Sequence, residues 1–594
     1  MGMVFTSIRV TFLLWFVIYI VANIYGCAIF YQLKIHTDFY STYLAKLSAQ
    51  WLGLLTTASL ALFLSIFFPA QSGVSQVLIF SSAILFLLNG GVRKIVGLTL
   101  FPSNHSLRTW MCISAMLAIA ALYVSQPIFL GDSGLYHLGL IRWLSEYGVV
   151  PGIAFIHERL GFSSSWFALI AMLNVGPLFG KVGSVFGGYV IVLYLALWLN
   201  AAVVFKHKQS RLQEQLIVGI SLLAFPWVWF WGAAISPSPD FAVIPIVIIC
   251  LAITFTNSLP SQNKRWLIYI TALYALSVKL SLIPLLVGVS VVCFLLFSWR
   301  ERLIAIGVGC VGLMPLLLSN TITSGYPLFP SNVFALHLPW SLPLHLVDET
   351  RVAVFNYAFL GPGYPAPTSM LGWLSQWMFS TRHEWVTVVL IAFNAPAYVY
   401  VRRINFPERK ILDLLAVFVF CALLFTALTA PTFRFMVHWL IILPGFALGV
   451  VLMQYNRIGK TFVLSMPYVV TVALMVSIMI SPGHRQKQLY EHLRDSQWAD
   501  TAFPQLHFLM PPDAPTIQTI YAEHARIIGV TDAVMQKKQA SNFSYMEPEG
   551  AMCWHSPLPC GFPRQPIQLR DASIGLRAGF IPQNKSALAE RNLC

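Results

Sequence analysis

Long apolar stretches alternate with short polar loops along most of the chain. A helix needs ~20 apolar residues to cross the ~30 Å hydrocarbon core of a bilayer. The pattern therefore predicts an all-α polytopic membrane protein with about 13–14 transmembrane helices. The predicted spans are roughly residues 8–31, 51–69, 75–91, 109–128, 184–205, 214–233, 241–257, 266–280, 283–298, 303–319, 385–401, 411–429, 435–453 and 461–480.

Composition and charge agree with this class. Hydrophobic residues make up 57% of the 594 residues and charged residues only 10%, which excludes an ordinary soluble domain. The net charge of +15 comes from Lys and Arg that cluster in short loops, as the positive-inside rule expects of cytoplasmic loops. The positive charge is thus explained by the topology of a protein surrounded by membrane lipids. It does not indicate a nucleic-acid partner.

With the basic loops in the cytoplasm, the other loops fall on the opposite face of the membrane. The helical regions are residues 1–128, 184–319 and 385–481, and the extracytoplasmic regions are residues 129–183, 320–384 and 482–594. Within the first of these loops, the apolar stretch Phe167–Phe179 is predicted to be a partly inserted helix, because Gly176 and Pro177 interrupt it. The tail 482–594 changes to a mixed polar and apolar composition, which predicts a small C-terminal domain, α/β or irregular.

The tail also carries a closely spaced pair of cysteines. Cys553 and Cys560 enclose a short loop with a rigid Pro-Leu-Pro segment, and in an oxidising compartment they are expected to form a disulfide. Free thiols, or a zinc site that includes His555, are the alternatives. Zinc is the weaker one because a fourth ligand at usable spacing is missing, so no metal site is predicted.

Polar residues able to carry chemistry follow the span 109–128. If a helix begins at Asp132, then Asp132 and Tyr136 share one face and His137 lies beside it. We predict that Asp132 and His137 are catalytic and that Tyr136 binds substrate, with burial raising the pKa of Asp132 towards useful basicity. The alternatives are a helix cap for Asp132 and a hydrogen-bonded core histidine for His137.

Further along the same loop, His157, Glu158 and Arg159 stand together in an apolar neighbourhood. A local ion pair that fixes the loop is one explanation of this triplet. Contact with a phosphate or a sugar is the other, and it makes all three candidate substrate-binding residues.

Three charged residues elsewhere are expected near the same membrane face. Lys279 separates two apolar spans, and it either snorkels to the interface or contacts a lipid phosphate. Arg434 suits bidentate phosphate recognition, with a structural pair to a carboxylate such as Asp240 as the alternative. Asp240 opens a span after a Ser-Pro-Ser-Pro turn, so capping is its favoured role, and a role as metal ligand, base or substrate-binding residue is the minor one.

Together these segments resemble the GT-C superfamily of membrane glycosyltransferases, and more closely a set of uncharacterised bacterial membrane proteins of that kind. The acidic motif followed by Tyr-His carries the superfamily resemblance, and four apparent spans precede it where GT-C enzymes usually have one. The matching segments are Asp132–His137, Val149–Gly152 leading to His157–Phe162, Ser324–Pro330, Phe433–Phe435 and Cys553–Cys560.

The resemblance implies a multi-pass protein of the bacterial inner membrane with its active site on the periplasmic side. It implies a polyprenyl-phosphate-linked sugar donor and a glycan or lipid acceptor, with Asp132 as the general base and Lys279 and Arg434 on the donor phosphate. No cofactor is certain, and a divalent metal is an alternative to the two cations. A transporter or flippase of lipid-linked saccharides, or a polymerase that joins them, is the competing function.

Overall fold

Helices dominate the protein. The computed structural model describes residues 2–35, 37–40, 42–100, 107–124, 130–174, 182–206, 212–230, 234–360, 369–380, 384–404, 409–454, 535–548, 552–554 and 556–583, with 461, 465, 469 and 472. The first ten helices are α1 (Gly2–Gln32), α2 (Thr37–Tyr40), α3 (Tyr43–Phe67), α4 (Gly73–Leu88), α5 (Gly90–Leu100), α6 (Leu107–Val124), α7 (Leu138–Glu146), α8 (Ser165–Met172), α9 (Val182–Lys206) and α10 (Leu212–Phe230). The next ten are α11 (Asp240–Phe255), α12 (Ser261–Val278), α13 (Ile283–Leu296), α14 (Trp299–Ser324), α15 (Leu344–Leu360), α16 (Met370–Ser380), α17 (Glu384–Arg403), α18 (Arg409–Thr429), α19 (Phe433–Leu440) and α20 (Ile442–Gln454).

The predicted spans coincide with helices wherever the structure describes them. By length and composition, six helices of the described residues are able to cross a membrane: they lie in α1, α3, α9, α14, α17 and α18. Two bent pairs raise the number to eight if each pair is one span. The pair α4 and α5 bends by 101° and the pair α19 and α20 by 41°. The predicted span 461–480 lies almost entirely outside the described residues.

Small residues allow the long helices to approach closely. A Cβ atom added to Gly53 of α3 would lie 1.7 Å from the carbonyl oxygen of Ala22 in α1, and one added to Gly26 would lie 2.0 Å from that of Ala49. Backbones therefore touch where α1 and α3 cross, as is common between membrane helices. Larger side chains at either glycine would force the two helices apart.

The region 130–174 does not contain a crossing helix. Its last helix, α8, has eight residues and so spans only ~12 Å. All eight are buried in the protein, which agrees with a helix that enters the protein without crossing the membrane. The remainder of the predicted inserted stretch, from residue 175 onwards, lies outside the described residues.

The described part of the C-terminal tail consists of strands, loops and one 3-10 turn at Gly575–Ala578. β1 (Met535–Gln539) pairs antiparallel with β2 (Ser544–Pro548), and β3 (Ile567–Leu569) pairs antiparallel with β4 (Phe580–Pro582). Cys553 and Cys560 form the predicted disulfide, with their Cα atoms 5.9 Å apart. The tail docks on the region 130–174, because the Phe580 and Phe562 amides donate to the carbonyl oxygens of Pro151 and Ile156 at 2.9 and 2.8 Å.

Candidate functional site

The acidic motif forms a short π-helix. Residues Ser133–His137 adopt this wider turn directly before α7, and the amide of Leu138 donates to the carbonyl of Ser133. Single π-turns are rare and often occur at functional sites. Asp132 precedes the π-helix with α-helical dihedrals, and its side chain makes no capping hydrogen bond. Capping therefore does not account for this carboxylate.

Four of the predicted site residues meet in one ion network. Asp132 accepts a hydrogen bond from Arg434 Nη2, and Lys279 donates one to Asp240 Oδ1. Arg434 Nε lies 2.8 Å from Asp240 Oδ2 and so joins the two pairs. The four side chains are only 7% to 20% exposed. The network thus alternates negative and positive charges, and its formal sum is zero.

The contact between Arg434 and Asp240 has ion-pair distance without hydrogen-bond alignment. Arg434 Nε and Asp240 Oδ2 are both buried, and neither has a hydrogen-bond partner. His438 Nε2 and Ser281 Oγ nearby in the sequence are also buried without one. Buried polar atoms without a partner are uncommon in folded proteins. The network therefore has hydrogen-bonding capacity that the described residues leave unused.

Lys279 reaches the network because α12 ends immediately before it. Its backbone is extended, with φ −155° and ψ 128°, and a 3-10 turn follows at Leu280–Leu282. The start of α8 holds this break in place: Ser164 Oγ donates to the carbonyl of Val278 at 2.7 Å, and the hydroxyls of Ser165 and Ser277 lie 2.8 Å apart. The lysine is thus fixed by packing and does not simply snorkel along a helix.

Asp240 follows a turn that also contacts the acidic motif. The Ser238 amide donates to Ser236 Oγ at 3.0 Å, and Ser236 Oγ lies 2.7 Å from Ser133 Oγ. The expectation that Asp240 serves mainly as a helix cap is wrong, because its carboxylate binds Lys279 and Arg434. The alternative for Arg434, an ion pair with Asp240, is present.

The start of α19, which carries Arg434, is held by two residues that sequence reasoning missed. The buried Glu384 accepts hydrogen bonds from the Thr432 hydroxyl at 3.0 Å and from the Phe433 amide at 3.2 Å. Trp377 Nε1 donates to the carbonyl of Pro431. Only one weak feature of the sequence indicates such a cap: Glu384 is an acidic residue at the start of an apolar span. Glu384 therefore fixes the position of Arg434.

Aromatic and imidazole groups surround the charges. The Phe435 ring lies 4.2 Å from Lys279 Nζ and 4.8 Å from Arg434 Cζ, measured to its centroid, so it contacts both cations. His137 is buried, and its ring centroid lies 4.3 Å from that of Tyr136. Burial lowers the pKa of His137 to about 4, so this imidazole is neutral near pH 7.

The expected rise in the pKa of Asp132 is wrong for the protein alone. Burial is the largest single cause and raises this pKa, but the charges of Arg434, His137 and Arg159, together with the hydrogen bond from Arg434, outweigh it. The pKa of Asp132 therefore lies below its ordinary value. While Arg434 is bound to it, Asp132 is a fixed anion and a weak base.

The charged triplet further along the loop divides into two parts. Arg159 Cζ lies 6.0 Å from the centroid of the Tyr136 ring, on the side of the acidic motif. Glu158 instead pairs with Arg564 of the tail, and His157 Nδ1 accepts from the Arg159 amide at 3.1 Å. The contacts of His157 and Glu158 thus identify them as residues that fix the loop. Arg159 and Tyr136 instead lie next to the network.

Metal binding has no support among the described residues, which contain no group of three or more His, Cys, Asp or Glu side chains arranged around a common point. His555, the third ligand of the weaker zinc alternative, lies outside the described residues. Cys553 and Cys560 are joined to each other, which removes both as free metal ligands.

Long apolar helices around a buried ion network define a polytopic membrane protein. The chain belongs to the family described as a domain of unknown function, DUF8201, which matches residues 9–441. The match includes all four residues of the network and ends before the C-terminal tail. No curated protein and no solved structure matches the chain.

Proposed function

We propose that this protein is a membrane glycosyltransferase. It moves a sugar from a polyprenyl-phosphate-linked donor to an acceptor hydroxyl on a cell-envelope glycan or glycolipid, at the periplasmic face of a bacterial inner membrane. The observation that carries the proposal is the convergence of Asp132, Asp240, Lys279 and Arg434, from four separate parts of the chain, in one buried network.

The two cations suit the donor phosphate. A guanidinium and an ammonium next to each other, in a poorly solvated site, form strong charge-assisted hydrogen bonds to phosphate oxygens. Arg434 Nε already lacks a hydrogen-bond partner. A donor phosphate that binds Arg434 and Lys279 therefore replaces carboxylate oxygens with its own and neutralises the same charges.

This exchange also prepares the base. When Arg434 turns to the phosphate, Asp132 loses the charge that lowers its pKa, whereas its burial, which raises the pKa, remains. The carboxylate then becomes a better proton acceptor in the complex than in the free protein. The site is thus expected to be inactive as a base until the donor has bound.

The transfer balances with these groups alone. The acceptor oxygen forms a bond to the anomeric carbon while Asp132 takes the hydroxyl proton, and the bond from that carbon to the phosphate oxygen breaks. The bonding electrons leave with the polyprenyl phosphate, whose charge Lys279 and Arg434 stabilise. Because the acceptor attacks opposite to the leaving phosphate, the configuration at the anomeric carbon inverts.

A transporter of lipid-linked saccharides remains the competing function, since cations that bind a lipid phosphate serve it equally. The purified full-length protein in vesicles, with a radiolabelled polyprenyl-phosphate sugar and a panel of glycan and lipid acceptors, tests the choice. We expect label in the acceptor and free polyprenyl phosphate in equal amounts. Donor that changes leaflet with its sugar still attached would support transport and overturn the proposal.

A further inference from the structure

The disulfide loop, residues 553–560, lies directly against the acidic motif. The amide of Trp554 donates to the carbonyl oxygen of Gly134 at 2.9 Å. The indole covers Gly134 so closely that a Cβ atom there would lie 2.3 Å from Trp554 Cε2. One added to Gly131 would lie 3.5 Å from Met552 Cε. The tail therefore touches the chain on both sides of Asp132.

The backbone at Trp554 indicates that this contact is imposed by its surroundings. Trp554 has φ +42°, in the left-handed region that bulky residues rarely adopt, and its side chain is 4% exposed. Such a conformation persists only where neighbouring contacts determine it, and it is typical of functional sites. The indole is thus held in one position against Gly134.

Two further contacts anchor the disulfide loop. Arg142 of α7 donates through Nη1 to the carbonyl of Ser556 at 2.8 Å. On the other side, the Met546 amide of β2 donates to the carbonyl of Pro559 at 2.8 Å, and the Gly561 amide donates to that of Met546 at 3.0 Å. The loop is therefore tied to the tail sheet and to α7, with the π-helix beneath it.

We propose that Trp554 is a positioning residue for Asp132: its indole fixes the turn at Gly131–Gly134 and thereby the distance from the Asp132 carboxylate to Arg434. The C-terminal tail, which lies beyond the family match, then completes the site. This inference rests on the proposed function only for its activity measurements. A shift of about 1 Å in a catalytic group lowers rates by about 10²-fold, so a packing contact is sufficient for such a role.

A double-mutant cycle between Gly134 and Trp554 tests it. Gly134→Ala pushes its methyl group into the indole, and Trp554→Ala removes the indole. We expect each single variant to lower kcat about 10- to 100-fold with little change in KM for the donor. In the double variant, Gly134→Ala should lower kcat no further than Trp554→Ala does alone, because the added methyl group no longer meets a ring. Reductions in kcat that simply multiply in the double variant would overturn the proposal.

A second activity readout separates positioning from loss of fold. If Trp554→Ala loosens Asp132 from Arg434 in the free protein, the acid limb of the kcat/KM profile should move to higher pH, and Trp554→Phe should restore part of the rate. Arg570→Ala is the matched control, because it removes another tail contact, to the Trp340 ring at 4.5 Å, away from the acidic motif. An equal loss in the control would show that only docking of the tail matters.

Hydrogen exchange tests the positioning role of Trp554 without a measurement of the reaction. Peptides covering residues 130–146 of the full-length protein should exchange faster in Trp554→Ala than in the unmodified protein and in Arg570→Ala. Unchanged exchange there, with the disulfide intact by mass spectrometry, would overturn the positioning role. Faster exchange without any detectable transfer by the unmodified protein would instead retain it and reject the proposed function.

Discussion

Asp132 and Arg434 form a buried ion pair although 302 residues separate them in the chain. Arg434 also lies against Asp240, so one guanidinium links both carboxylates. Removing one partner of a buried pair strands the other charge and typically costs ~3–5 kcal/mol. Any anion that engages Arg434 must therefore compete with two carboxylates at once. The following predictions depend on this competition and on the contacts that hold it.

Asp132→Asn should abolish glycosyl transfer while donor binding is kept. The amide cannot accept a proton, and loss of a general base lowers rates by about 10² to 10⁴. The change also removes one negative charge from a neutral network, so the donor phosphate should bind as tightly as before or more tightly. Turnover and equilibrium binding of a polyprenyl-phosphate sugar measure the two effects. A variant that keeps most of its activity would refute the assignment of Asp132 as the base.

Arg434→Lys should weaken donor binding, although the charge is kept. Arg434 contacts two carboxylates through different nitrogens, and an ammonium group cannot reproduce that planar fork. We expect KM for the donor to rise at least 10-fold in this variant and further in Arg434→Ala and Lys279→Ala. Arg402→Ala is the control, since its pair with Asp413 is exposed and contributes little. Equal effects at both arginines would contradict the phosphate role.

Glu384→Ala should impair donor binding from a distance. The carboxylate caps the Phe433 amide, so its loss leaves the start of α19 without that partner and costs ~1 kcal/mol. Glu384→Gln keeps an acceptor oxygen and should be milder. Thermal unfolding and donor KM, measured on both variants, provide the comparison. If alanine and glutamine behave alike, the cap does not position Arg434.

His137 should make the folded protein sensitive to mild acid. Its pKa falls from an ordinary 6.5 to about 4 on folding, so between these values the unfolded chain binds a proton that the folded protein does not. Stability is complete above pH ~6.5 and falls by up to ~3 kcal/mol as pH drops to ~4. His137→Gln should flatten the pH dependence of Tm in this window, and the exposed His337→Gln should not. A slope unchanged by His137→Gln would exclude this origin.

The predicted topology can be tested at exposed positions. Asn332 and Ser541 are exposed and belong to regions expected on the periplasmic face, whereas the exposed Ser261 lies in a predicted cytoplasmic loop. Single cysteines at Asn332 and Ser541 should react with a membrane-impermeant reagent in spheroplasts. A cysteine at Ser261 should react only after lysis. Labelling of Ser261 together with either of the others would show the orientation to be wrong.

Helices were more predictable than their geometry. Apolar length alone located the described helices, of which six, or up to eight with each bent pair as one span, are long and apolar enough to cross the hydrocarbon. Apolar length could not predict the 101° bend between α4 and α5, because α4 ends at Leu88 and α5 begins at Gly90, with only Asn89 between them. The disulfide followed from the spacing of Cys553 and Cys560, which is a local property.

The site was predictable as a set of residues and not as a network. Asp132, Lys279 and Arg434 stood out because charges are costly in apolar surroundings. Which of them pair is decided by tertiary contacts, so the low pKa of Asp132 and its pair with Arg434 were not predicted, whereas a pair of Arg434 with Asp240 was one of the two alternatives for that residue. Glu384 and Trp554 contact backbone groups of distant segments, and the sequence indicates this only weakly, through the acidic residue that opens the span of α17.

The zero formal charge of the network also determines the electrostatic potential that the network produces at a distance. Two positive and two negative groups leave no net charge, so the potential of the cluster decays faster with distance than that of a single charge. Such a centre does not steer small anions from solution, and it enters the bilayer without an uncompensated charge. If the proposed donor is the ligand, its anionic headgroup is therefore recognised only on contact, after its lipid chain has partitioned into the membrane.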